Sequence, residues 1–153
     1  MKHLKRVLLL FTVLVIAVLA VIIWHTVGVY RAVHAEIRTV HMDQLEQQIG
    51  GEKLTRQELR NGKVMVDGVT LHRAVYYPQA ETLVCFLENE DPHRDIYLEG
   101  LPDKNGGAFP ERHGISFVYF EAVSPADLDR ALIVDMTNWD FDTSNPVSLP
   151  LSG

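Results

Sequence analysis

Apolar residues are distributed in two ways along this chain. Residues 7–30 are 24 consecutive positions without a charged side chain, entered from Lys2, Lys5 and Arg6 and left at Arg31. After residue 30 the apolar positions come in short runs, spaced first like one face of a helix and then like strands. A helix rises about 1.5 Å per residue and a bilayer's hydrocarbon core is about 30 Å thick, so the first run is long enough to cross a membrane. The pattern predicts a transmembrane signal-anchor helix over residues 7–30 behind a cytoplasmic tail of residues 1–6. A cleavable secretory signal is the competing reading, with Val18-Leu19-Ala20 as the cutting site. Cleavage there would leave Val21-Ile22-Ile23-Trp24 as a new N-terminus still inside the apolar run, which favours the uncleaved anchor. His25, beside Trp24 near the end of the run, is expected at headgroup level.

Val33, Ile37, Val40, Leu45 and Ile49 then recur at roughly helical spacing, without proline or glycine until Gly50-Gly51. This predicts a helical stem over residues 31–49 whose apolar stripe packs on the protein's own domain or, as the ground for a subunit role, pairs with another helix. Thr55-Arg56-Gln57-Glu58 has capping-box spacing for one short helical turn, and Asn61-Gly62 and Asp67-Gly68 are turn signals on either side of residues 63–66. Strands are expected at residues 69–77, 83–87, 95–99, 115–123 and 132–134. The first alternates imperfectly, because Arg73 intrudes among Val69, Leu71, Val75 and Tyr77; the second is apolar on both faces and therefore central. Ser124-Pro125-Ala126-Asp127 opens a short helix. Residues 100–114 read as a long turn-rich connection, and residues 144–153 as a flexible tail. The expected fold is an N-terminal transmembrane helix with a helical stem, then a small α+β, mostly antiparallel β, extracytoplasmic domain over residues 50–143.

Charge orients this arrangement. Three basic residues crowd the N-terminal flank of the span, which places the amino terminus in the cytoplasm and the C-terminal domain in the periplasm or outside the cell, in a bacterial inner (plasma) membrane. All 20 acidic residues but only 11 of the 14 Lys and Arg lie beyond residue 30, so that part is net −9. Such a surface excludes nucleic acid as a partner and suits a basic one. The expected partners are the lipid bilayer, through residues 7–30, and another envelope protein, a basic one on the charge argument. Cys85 is the single cysteine, so no disulfide closes within the chain, and its apolar strand-like setting predicts a buried, inert thiol.

The chemistry-bearing residues cluster in residues 88–95 and 111–113. His93 and His113 with Glu88, Glu90 and Glu111 have the donor types of a divalent metal site if the two segments converge, although no His-x-x-x-His spacing brings them together locally. Asp140-Phe141-Asp142-Thr143-Ser144 matches the start of a calcium loop but fails at Asn145 and Leu151, where glycine and a bidentate glutamate are needed. Nucleophile elbows, phosphate loops and dinucleotide fingerprints are absent from the sequence. Tyr76-Tyr77, and Trp139 with Phe141, are aromatic pairs whose default role is packing. No cofactor is predicted. The functional expectation is a single-pass membrane-anchored interaction protein rather than an enzyme, either an accessory subunit of an envelope or secretion assembly or an immunity-type inhibitor of a basic partner. The alternative is an anchored hydrolase or metal-binding protein built on His93 and His113 with the neighbouring carboxylates.

Overall fold

A computed structural model describes residues 2–91, 93–102, 106–135 and 142–153 of the chain. Helix α1 spans Lys2–Val33, and its apolar side chains stand open, Leu8 at 65% and Trp24 at 66% exposure. A helix belonging to a soluble core would be covered by the rest of the chain, whereas none of this helix's most apolar stretch is buried. It is long and apolar enough for a single-pass anchor or a signal sequence.

The continuous stem expected over residues 31–49 is two pieces. The helix stops at Val33, residues 35–39 are non-helical, and α2 runs Val40–Gln48. Thr39 is extended and caps α2, its hydroxyl accepting from the Met42 amide at 3.3 Å. The break turns Ile37 and Met42 into the domain, where both are buried. Arg38 secures the corner, with Nε donating to Asp43 at 2.8 Å and Nη2 2.7 Å from Glu46. Gly50 and Gly51 end α2 with positive φ, as their position in the sequence implied.

An antiparallel β domain follows. Strands β1 (Gln57–Val66), β2 (Val69–Tyr77), β3 (Thr82–Asn89), β5 (Gly107–Arg112) and β6 (Ile115–Phe120) form a sheet in the order β1-β2-β3-β6-β5. Strands β4 (Ile96–Glu99), β7 (Leu132–Asp135) and β8 (Asp142–Ser148) form a second sheet in that order. Four expectations are corrected here. Thr55 opens no helix, because Gln57 and Glu58 already belong to β1; Asn61-Gly62 is absorbed as an irregularity in that strand rather than turning the chain. Residues 100–114 contain β5, an edge strand in which Pro110 lacks only an amide that an edge can do without. Residues 144–153 are no loose tail: they contribute to β8 and bury Leu149 and Leu151, so the domain runs to the end of the chain. Arg60 fastens this end, donating to the Pro150 carbonyl at 3.0 Å and the Ser152 carbonyl at 2.6 Å.

The five-stranded sheet is buried on both faces. Leu83, Cys85 and Leu87 of β3 point toward the second sheet and pack with Leu98, Ile133, Leu149 and Leu151. Val84 and Phe86 point the other way and pack with Ile115, Phe117 and the stem residues Val33, Ile37 and Met42. Burial of β3 on both faces is what its uninterrupted apolar run predicted. The broken alternation of β2 has a definite cause: Leu71 pairs with Leu87 but Arg73 with Phe86, so His72 is an extra residue and the strand changes face at a bulge. Before it Val69 and Leu71 face the second sheet; after it Ala74 and Tyr76 do, while Val75 and Tyr77 face the stem.

Candidate functional site

The β2 bulge sets the geometry of the junction between helix and sheet. It presents Arg73 to the stem, with 5% of the side chain exposed and the guanidinium 5.1 Å from the centre of the Phe86 ring. Nε and Nη2 donate to the two carboxylate oxygens of Glu58, at 2.9 and 2.5 Å. Nη1 donates to the carbonyl of Val33, the last residue of α1, at 3.1 Å, and reaches that of Ala35 at 3.5 Å. A helix's final carbonyls lack intrahelical partners and carry the negative end of its dipole, so a guanidinium there caps the helix electrostatically. These Arg73 hydrogen bonds hold the Glu58 carboxyl below its ordinary pKa. The long helix is therefore clamped to the domain at a fixed angle.

Neighbouring residues of β5 face opposite sides of the sheet and reach two separate concavities. On the second-sheet side, lined by residues of β3, β4, β5 and β6, lies a cleft of about 780 Å³. Val118, Phe120, Leu87 and Leu98 give it apolar walls, Tyr97 and Tyr119 supply aromatic hydroxyls, and Asp95 and Glu111 stand at it as carboxylates. Neither carboxylate is ion-paired among the described residues, whereas Arg94 beside them holds Asp67 at 2.5 Å. A cleft of this volume suits a small ligand or a few side chains of a peptide. On the stem side Arg112 lies over Phe117, 5.8 Å from the ring centre, and His113 meets Trp24 of α1 edge-on at 5.0 Å. His113 and Gly114 both have positive φ, the signature of the tight two-residue turn that joins β5 to β6.

These positions disperse the histidines and carboxylates of the sequence-derived metal set. Glu88 is 2.7 Å from Nε2 of His72 on β2; Glu90 is exposed; His93 lies in an exposed turn where its amide donates to Asp91 at 2.9 Å. Glu111 lines the cleft while His113 packs on α1. No group of three or more His, Cys, Asp or Glu side chains is placed to hold a metal ion among the described residues. Cys85 is fully buried between the sheets, and burial pushes its thiol up to about 12, far from a nucleophile's range. Tyr76 and Tyr77 are buried on opposite faces, Tyr76 donating to the Val123 carbonyl at 2.7 Å, so the pair is no exposed platform. Trp139, Phe141 and Asp140 lie outside the described residues. The residues missed in the sequence are Arg73, whose intrusion into an apolar strand face was the one available signal, and Arg112, which gave none. No protein-family model, curated protein or solved structure matches this chain.

Proposed function

We propose that this protein is a single-pass membrane-anchored interaction protein of the bacterial envelope, with its amino terminus in the cytoplasm and its β domain in the periplasm or outside the cell. The domain binds a basic segment of another envelope protein in the cleft between its sheets. The observation that carries this reading is the pair of carboxylates, Asp95 and Glu111, without an ion-pair partner among the described residues, on a cleft with aromatic and apolar walls. Apolar walls supply affinity, and the carboxylates select a Lys or Arg side chain. The clamped helix supports display as the mechanism: held at one height and angle above the bilayer, the cleft meets partners confined to the same surface at raised effective concentration.

The stem's buried residues, Ile37 and Met42, pack on the protein's own sheet, so a subunit role through a helical seam has lost its main argument. An inhibitor or accessory domain that covers a basic surface fits better. The test is capture of the tagged full-length chain from gently solubilised native membranes beside D95N/E111Q, and beside the same domain on an unrelated span. A stoichiometric partner retained on both spans and lost from the double variant supports the reading. Equal capture by the double variant, or no partner at all, overturns it. Protease accessibility of a C-terminal tag in intact cells tests the orientation.

A further inference from the structure

The concavity on the stem side has a different character from the cleft. It is a groove of about 610 Å³ along one stripe of α1, from Ala20 through Ile23 and Val27 to Arg31, roofed at one end by Arg112 and His113 of the β5–β6 turn. Gly28 allows the close approach, since a Cβ there would lie 2.5 Å from the His113 ring. Its lower end is apolar and belongs to the long helix alone. Its upper end holds two arginines from different elements.

Those arginines stand apart from the others of the domain. Arg38, Arg56, Arg73, Arg94 and Arg130 are ion-paired, and Arg60 donates to the carbonyls of the chain's C-terminal end. Among the described residues neither Arg31 nor Arg112 is paired with an acid, and Glu111, next to Arg112, lines the opposite cleft. An acidic domain thus sets one guanidinium without an acidic partner, Arg112, beside another, Arg31, near the end of its apolar helix. Along that helix Ala20 and Arg31 are separated by a rise of roughly 16 Å, close to the half-thickness of a hydrocarbon core of about 30 Å. The groove therefore runs from near mid-bilayer depth to headgroup depth when residues 7–30 span the membrane.

We propose that the groove holds one anionic phospholipid of the leaflet facing the domain, its phosphate between Arg31 and Arg112 and an acyl chain along Ile23 and Val27. This rests on the membrane-anchored reading above. Guanidinium forks match phosphate oxygens, and apolar side chains at leaflet depth match an acyl chain. The bound lipid also braces the β5–β6 turn against α1.

The test uses the full-length chain reconstituted in nanodiscs of phosphatidylcholine with a minor fraction of phosphatidylglycerol, followed by native mass spectrometry of the released protein. The expected result is one phosphatidylglycerol retained per chain in preference to phosphatidylcholine. R31Q/R112Q should lose that preference by roughly 30-fold, given the usual effect of two basic residues at a lipid surface. R56Q/R130Q, an equal change of charge away from the groove, should keep it. Equal retention of the two lipids by the wild type, or unchanged selectivity in R31Q/R112Q, overturns the proposal. Displacement of the lipid by inorganic phosphate would assign the arginines to a small anion, and a lipid-free dimer would assign the groove to a second copy; either result overturns it too. A chain that stays outside the discs overturns the anchor reading together with this one. A chain that enters the discs without lipid selectivity overturns this one alone.

Discussion

The two faces of the five-stranded sheet are covered by different kinds of contact. Toward the second sheet the contacts are mainly aliphatic and buried, Leu71, Leu83 and Leu87 against Ile133, Leu149 and Leu151. Toward the stem, aromatic packing of Phe86 on Phe117 is combined with directional hydrogen bonds from Arg73 to Glu58 and to the end of α1. Apolar burial is strong but indifferent to direction, whereas a guanidinium fork fixes an angle. The first face makes the domain stable, and the second sets how the long helix leaves it. A flexible tether would need neither Arg73 nor the bulge that presents it.

The largest effect expected on this contrast comes from truncating one core residue on each face. Leu83→Ala and Phe117→Ala should each cost about 3–4 kcal/mol in urea unfolding of the detergent-solubilised full-length chain. Hydrogen exchange should then separate them: Phe117→Ala should raise exchange at residues 34–39 beyond its global effect, and Leu83→Ala should not. Similar exchange in both would mean that the two faces form one undivided core. Next in size is Arg73→Leu, which strips Glu58 and the Val33 carbonyl of their donor and should cost about 2–3 kcal/mol. Arg73→Lys should recover less than half, because an ammonium cannot serve the carboxylate and the helix end together. Full rescue by lysine would reduce the junction to simple charge.

How legible this contrast was in the sequence depended on the element. Strands β2 and β3, the Asp67-Gly68 turn and the Ser124 helix start could be read because one local rule governs each. In the structure Ser124 and Asp127 do form the reciprocal cap, although the helix they open is of the tighter 3-10 type. The stem break at residues 34–39 could not be read, since nothing in His34-Ala35-Glu36 disfavours a helix. It depends on Arg73, distant in sequence, taking the carbonyls of Val33 and Ala35. Strand β5 was hidden by its glycines and Pro110, which an edge position tolerates. The chain's end misled by composition, although Val147, Leu149 and Leu151 do carry the period-two pattern of a strand between Ser and Pro. At the cleft and groove, alternation along β5 places Glu111 and Arg112 on opposite faces, but only tertiary packing puts a helix on one side and a cleft on the other.

A smaller effect is expected where α1 touches the β5–β6 turn. Gly28→Ala places a methyl group against the His113 ring, which sits at an exposed turn and can swing away, so the cost should be about 1 kcal/mol. Trp24 fluorescence should report the change, since His113 lies edge-on to that indole. An unaltered Trp24 spectrum in Gly28→Ala would mean that the turn does not rest on the helix, leaving Arg73 as the contact that fixes its angle.

The smallest expected effect separates the two faces by pH. Glu58 is held below the ordinary glutamate pKa of about 4.3 by its hydrogen bonds from Arg73. Its folded form thus binds its proton at lower pH than its unfolded form. The stability it contributes is complete above the unfolded value and is lost as pH falls through the depressed folded one. Glu46, which accepts from the Leu54 amide, and Asp127, which accepts from Ser124, are depressed likewise and lose their contributions in the same acid range. Two of these three carboxylates, Glu46 and Glu58, lie on the stem side, and Asp127 alone belongs to the short helix beside the second sheet. Acidification should therefore raise hydrogen exchange around residues 33–39 before it does so in β3. Glu58→Gln should remove part of that acid sensitivity while lowering stability at neutral pH. If β3 opened at the same pH as the junction, the stem would be an inseparable part of the core, and the clamp would have no independent melting step.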